Sequence, residues 1–247
     1  MKTSALLALL LLAAPLPPSA APAGDELAIG RFVIANRQVG GFFGGSVIVL
    51  VDHGAHGSLG LIVNRPVELT LAELLPDLEE ARGRREHAFL GGPVGPDQLL
   101  LLIRSSKPPE GSAPVVDGLH VSGSRDTLRA LLRSPGVEFR AYVGYAGWAP
   151  GQLASEIARG DWTLAPGDAG SVFERDPTGL WEKLLRRHQE IRVQAPRGEA
   201  RNESKATAPS PLRLAAPLKS ITLSPPWRSA AASSASPTSG RARSSTR

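Results

Sequence analysis

The 247-residue chain contains no cysteine, a single methionine and two tyrosines, and aromatic residues make up only 5% of it. Without cysteine, disulfides, thiolate metal sites, cysteine nucleophiles and a lipoprotein anchor are all excluded. Stability must come from a packed core, which a chain of this length can build. Long hydrophobic runs are also missing. The apolar run at residues 5–14 falls short of the ~20 residues that span a bilayer, so no transmembrane span is expected in the mature protein. No Gly-x-Ser-x-Gly elbow occurs, and no glycine cluster is followed by the Lys and Ser/Thr of a P-loop. Several common chemistries are thus ruled out before any is suggested.

Charge is unevenly placed. The isoelectric point is about 10.1, yet nine of the 28 Lys+Arg and only two of the 23 Asp+Glu lie from Pro196 onward, which leaves 19 basic against 21 acidic side chains in residues 1–195. A folded body without net positive charge lacks the electrostatic footprint of a duplex binder, so no specific nucleic-acid binding by the folded domain is expected. Residues 196–247 are rich in Pro, Ser, Ala and Arg and show no sustained period, the signature of a disordered basic tail. Weak contact with a polyanion is the most that tail implies. At the other end, residues 1–23 place Lys2 before the apolar run, then Pro15, Pro17, Pro18 and a string of small residues. That is the layout of a secretory signal peptide, with processing after Ala21-Pro22-Ala23 and export to the periplasm or medium as its consequence. The alternative is an uncleaved leader on a cytoplasmic protein. One domain, residues 24–195, remains between these ends.

Within it, short apolar runs alternate with glycine-marked turns. Residues 33–35, 46–51, 59–63, 99–104 and 137–144 read as strands. The run Ser46-Val47-Ile48-Val49-Leu50-Val51 is apolar at both parities and predicts a strand covered on both faces. Residues 137–144 alternate, which predicts one buried face. Thr70 with Glu73 three residues on fits a capping box, and Pro76 breaks or kinks the segment that follows. Ser124 is placed to cap a helix over 125–133, a third helix is expected over about 151–159, and Asp176-Pro177 opens a fourth. Strands outnumber helices and do not alternate strictly with them, so the fold class is α+β (mixed α/β) and not a doubly wound parallel sheet.

Few side chains invite chemistry. Ser46, Asp52 and His53 lie on one strand, but an extended chain separates its ends by about 23 Å and sends odd and even positions to opposite faces. A triad needs contact near 3 Å. His53 and His56 flank a glycine-rich turn without the third ligand a zinc site requires, so no metal or other cofactor is implied. Arg65, in Asn64-Arg65-Pro66, and Arg125, in Ser124-Arg125-Asp126, either grip a carboxylate or phosphate or tie their loops to a neighbouring acid such as Asp126 or Glu156. Tyr145 and Trp148, where a strand is expected to end and Gln152 to begin a helix, either plug the core or wall a groove.

Several of these pieces occur together in one family. Gly30-Arg31-Phe32-Val33, Gly60-Leu61-Ile62-Val63-Asn64-Arg65-Pro66, Leu90-Gly91-Gly92-Pro93-Val94, Ser124-Arg125-Asp126, the run from Gly144 to Leu153, Gly160-Asp161-Trp162 and Trp181 stand in the order seen in the YqgE/AlgH family. By them the chain resembles that family over about residues 27–187. The resemblance implies a single domain with a partly barrel-like, bifurcated sheet surrounded by helices. It implies no established activity: members are often labelled transcriptional regulators without a recognisable DNA-binding element. The leader and the tail depart from the family pattern, as does Ala154, where an acidic residue is common. Three readings follow: a non-enzymatic domain binding a protein or small-molecule partner through a groove of Asn64, Arg65, Arg125, Tyr145, Trp148 and Gln152; a regulator of gene expression; and an unrecognised enzyme using the same groove.

Overall fold

The structure, a computed structural model, describes residues 26–194; the expected signal peptide (1–23) and basic tail (196–247) lie outside the described residues. Ten strands form one sheet: β1 (Arg31–Ala35), β2 (Val47–Gly54), β3 (Gly57–Ile62), β4 (Pro66–Thr70), β5 (His87–Leu90), β6 (Val94–Arg104), β7 (Ala113–Val116), β8 (Leu119–Ser122), β9 (Glu138–Trp148) and β10 (Trp162–Pro166). Five α-helices accompany them: α1 (Leu71–Leu74), α2 (Arg125–Arg133), α3 (Gln152–Ala158), α4 (Ala169–Val172) and α5 (Leu180–Gln194). The main path runs β10-β1-β2-β3-β9-β6-β8-β7, with β4 and β5 branching from β9. Among the described residues only the β5–β9 pairing is parallel.

The helices start where local chemistry says they must. The Thr70 side chain accepts from the Glu73 amide while the Glu73 carboxylate accepts from Thr70, and α1 ends at Leu74, with Leu75 as its C-cap just before Pro76. Ser124 accepts from the Thr127 amide and opens α2. Asp176 caps a 3-10 turn at Pro177–Gly179 that leads directly into α5.

Laid flat, six inter-strand steps would hold β1 and β7 some ~29 Å apart. Instead Phe32 of β1 shares one buried cluster with Val115 of β7 and Leu119 of β8, and a Cβ on Gly30 would lie 2.5 Å from the Val115 carbonyl oxygen. The sheet is therefore curled into a half-barrel. Its concave face carries Ile34, Val49, Leu61 and Tyr142, sealed by Phe173 just after α4 and by Trp181 and Leu184 of α5. The Trp181 indole donates to the Ala35 carbonyl at 2.7 Å, fastening α5 to β1. Arg140 lies over the rings of Phe89 (4.5 Å) and Phe173 (5.6 Å) and donates to the carbonyls of Val172 and Glu174. Two helices cover the convex face of one half, where Leu128 and Leu131 of α2 and Leu71 of α1 meet Leu99, Leu101 and Val143. Leu153 of α3 covers the other half, against Ile48, Leu50 and Ile62.

The two-sided burial predicted for residues 46–51 is present: Val47, Val49 and Val51 face the concave cluster, Ile48 and Leu50 the convex one. The single buried face predicted for residues 137–144 is wrong. Tyr142 is fully buried on the concave side while Ala141 and Val143 pack beneath α2, because this strand is the central one of the sheet. The strand also continues to Trp148 rather than ending before Tyr145.

One edge of β9 pairs with β6 over most of its length. The opposite edge pairs with β5 at Tyr142 and Val143, then with β3 from Ala146 to Trp148. Gly91 holds the two branches together: its amide donates to the Val143 carbonyl and its carbonyl accepts from the Ile62 amide. The crossing is too tight for side chains. A Cβ on Gly91 would lie 2.2 Å from the Gly144 carbonyl oxygen and one on Gly92 2.0 Å from the Tyr145 carbonyl carbon, while Gly144 itself takes φ +68°. Each contact is with backbone, which cannot swing aside. Gly92→Ala is accordingly expected to cost about 3 kcal/mol or more in urea denaturation. In contrast, Gly40→Ala, which meets nothing within 4 Å, is expected to leave stability unchanged or raise it by up to about 1 kcal/mol.

Candidate functional site

Residues 40–45 form a loop between β1 and β2, with a 3-10 turn at Gly41–Phe43. Its path is fixed by Asn64, which follows β3. The Asn64 Oδ1 accepts from the Val47 amide and its Nδ2 donates to the Gly45 carbonyl, both at 2.9 Å. Ser46 is fully buried and donates to the Phe43 carbonyl at 2.6 Å. Arg65 reaches the same loop: its Nη2 donates to the Gly44 carbonyl at 2.9 Å, and its guanidinium lies 5.2 Å from the centre of the Phe42 ring. Burial pulls the Arg65 guanidinium below its ordinary value. No carboxylate lies within ion-pair distance of it among the described residues.

Phe43 carries the loop inward. It stacks on Trp148 at 6.5 Å and meets Trp162 edge-on at 5.7 Å, and the two indoles are T-shaped at 6.0 Å. Both indole N–H groups converge on one carboxylate, with Glu156 Oε2 accepting from Trp148 at 2.9 Å and from Trp162 at 2.8 Å. Its Oε1 accepts from Gln152 Nε2 at 2.9 Å, and Gln152 Oε1 accepts in turn from the Ala149 amide. Desolvation would raise the Glu156 carboxyl, but the hydrogen bonds from Gln152, Trp162 and Trp148 outweigh it and hold the group below the usual carboxylate range.

Four of the six residues anticipated from sequence thus lie along one convex ridge: Asn64 and Arg65 on the loop side, Trp148 and Gln152 on the α3 side. Tyr145 does not join them. The irregular backbone at Gly144 turns Tyr145 toward the concave cluster, whereas Ala146 and Trp148 face the convex one, so no single wall contains both aromatics. Arg125 is exposed at the start of α2, and the structure records no contact between it and the other five. Neither arginine ties its loop to an acid: Arg65 bonds a carbonyl, and Asp126 pairs with Arg129 at 3.9 Å. Trp148 is a core plug, 6% exposed. Sequence reasoning missed Phe42, Phe43 and Trp162 as members of the ridge and placed Glu156 only as a possible arginine partner. The i,i+4 spacing of Gln152 and Glu156 was a usable signal for their pairing. Two residues beyond Ala154, Glu156 supplies an acidic group to this helix.

The Ser46, Asp52 and His53 side chains are apart. His53 bonds Ser58 at 2.8 Å, and Asp52 pairs with His56 at 2.9 Å across the β2–β3 turn. Among the described residues no group of three or more His, Asp or Glu is arranged to hold a metal ion, and no helix is long and apolar enough to cross a membrane.

A curled, branched sheet with helices on both faces and β9 as its spine describes a mixed α/β domain of one piece, and solved structures share it. The AlgH protein from Pseudomonas aeruginosa superposes with a TM-score of 0.54 and 30% identity, over 69% of this chain and 95% of that one. A protein from Corynebacterium diphtheriae gives a TM-score of 0.56 at 22% identity, over 66% of this chain and 88% of that one, a likeness of fold alone. A family model described as AlgH-like matches residues 32–192. UPF0301 proteins from Methylococcus capsulatus and Anaeromyxobacter dehalogenans are each 40% identical, the first over 68% of this chain and 96% of that protein, the second over 69% and 91%. The chain belongs to the AlgH-like family, as its motifs indicated.

Because the folded Glu156 pKa lies below the unfolded one, the unfolded chain takes up the proton first as pH falls. The stability this carboxylate provides is full above the ordinary Glu value of ~4.3 and is lost as pH drops through the lowered folded value. Thermal melts between pH 2 and 7 are expected to show a shallower acid slope, and a lower Tm at pH 7, for Glu156→Gln than for the parent. An identical slope in both proteins would mean that the carboxylate is not coupled to folding.

Proposed function

We propose that this domain is a non-enzymatic binding domain that engages a protein partner or small ligand through the convex ridge of the residue 40–45 loop, Arg65 and the α3 start. The observation that carries the reading is Arg65: a half-buried cation, held in place by one carbonyl, with no acid for a partner among the described residues and an exposed aromatic ring against it. Cations are seldom left so without a use, since burial costs them hydration that only a counter-charge returns. The Trp148–Glu156–Trp162 cluster beneath gives the ridge a rigid base, which keeps the entropic cost of binding low.

A thermal-shift screen of the full chain over metabolites tests this reading. A ligand at 100 times its Kd adds about 2.7 kcal/mol of stability, and the response is expected to vanish in Arg65→Ala while Arg125→Ala keeps it. Photo-crosslinking from position 42 in cells covers protein partners. Absence of both a ligand response and an Arg65-dependent adduct would leave the ridge as packing.

The regulatory reading is favoured only by the basic segment from Pro196 on. Electrophoretic shift assays are expected to show weak, salt-sensitive retardation that disappears with residues 196–247; retention by the remaining domain would favour direct regulation instead. Export, supported by the layout of residues 1–23, predicts a periplasmic protein whose N-terminal sequence begins near Gly24. An intact Met1 in the cytoplasmic fraction would overturn it.

A further inference from the structure

The Arg65 fork defines what kind of group it takes. A guanidinium carries five N–H donors in a plane. Among the described residues the Arg65 side chain makes one hydrogen bond, from Nη2 to the Gly44 carbonyl, and neither Nε nor Nη1 is sealed from solvent without a partner. Beside it Phe42 is 40% exposed and meets Phe43 edge-on at 5.2 Å. Gly40 and Gly41 leave open space next to this pair, where an added Cβ meets nothing within 4 Å.

Arg37 also lies over an aromatic ring, that of Trp181 at 5.8 Å, but that ring is buried, whereas the ring beside Arg65 is exposed. Arg140 spends its fork on two carbonyls of its own chain, and Arg84, Arg104, Arg133 and Arg159 pair with glutamates or an aspartate. Planar, bidentate recognition of an oxyanion is the chemistry to which a free guanidinium face is suited. An apolar ring at its side adds contact area for whatever the oxyanion is attached to. We infer that Arg65 and Phe42 together form a subsite for a carboxylate or phosphate attached to a planar or aromatic group, with Arg65 binding the oxyanion and Phe42 packing against the ring. This rests on the binding reading above and specifies the chemistry of its ligand.

The carboxylate and phosphate forms share one recognition and are separated by the probes. Two-dimensional NMR titrations of the full chain use phenylacetate, phenyl phosphate, acetate and benzylamine. Both aromatic anions are expected to shift the amides of residues 40–45 and 65, with the tighter one naming the oxyanion, acetate to bind more weakly, and benzylamine to leave these amides unmoved. Losing a charge-assisted hydrogen-bond pair is expected to weaken binding by about 10-fold or more in Arg65→Gln. Phe42→Leu, at an exposed position, is expected to weaken the aromatic anions toward the level of acetate without weakening acetate itself. Equal shifts with benzylamine, or no shift at residues 40–45 and 65 with either aromatic anion, overturns the inference. If that happens while an Arg65-dependent response persists in the metabolite screen or in crosslinking, the ridge binds something other than an oxyanion; if those fail too, the binding reading falls with it.

Discussion

The structure depends on one crossing of backbones. Where β9 exchanges β5 for β3 along a single edge, the residue 91–92 segment must pass against residues 143–145 at a separation that admits no Cβ. Everything distinctive in the architecture is a consequence. The branch lets one ten-stranded sheet curl far enough for β1 to meet β7, and it splits the convex surface into two separately covered halves. It also fixes where the ridge begins, because the Arg65 carbonyl accepts from the Leu90 amide at the same crossing. The backbone of Arg65 is part of the branch while its side chain reaches the loop.

Polar groups at the ridge are arranged for rigidity. Glu156 gathers two indoles and an amide onto one carboxylate, and Asn64 meets a backbone donor and a backbone acceptor of the loop it braces. Groups so fully engaged have little capacity left for proton transfer or nucleophilic attack. Arg65 is different in kind, since most of its donors are unspent. On the ridge, donors not spent on the described residues are found on Arg65, beside the exposed ring of Phe42.

What was legible in the sequence was local. The Thr70–Glu73 box and the Ser124 cap act over three residues, and both helices begin where those residues stand. Both-face burial of β2 could be read from its unbroken apolar run. The course of β9 could not, because Arg140 and Tyr142 look like solvent-facing residues until Phe89, Phe173 and the two helices that seal the concave face are brought over them from 30 or more residues away. The short strands β4, β5, β7, β8 and β10 escaped notice for the same reason: their partners are set by register and not by any periodicity of their own. As for the site, the motifs located its parts but misjudged their grouping. Parity counting across Gly144 puts Tyr145 on the wrong side, since the backbone is irregular just there.

Sharing of Glu156 between Trp148 and Trp162 has an optical consequence. Of the four tryptophans in the chain, these two lie in contact with each other and with Phe43, which touches Phe42 in turn. Both indoles donate to one carboxylate, and through Phe43 they are joined by ring contacts to Phe42 at the exposed surface. Indole fluorescence is therefore a label-free place to look for a disturbance at Phe42, since that ring is two contacts from both indoles.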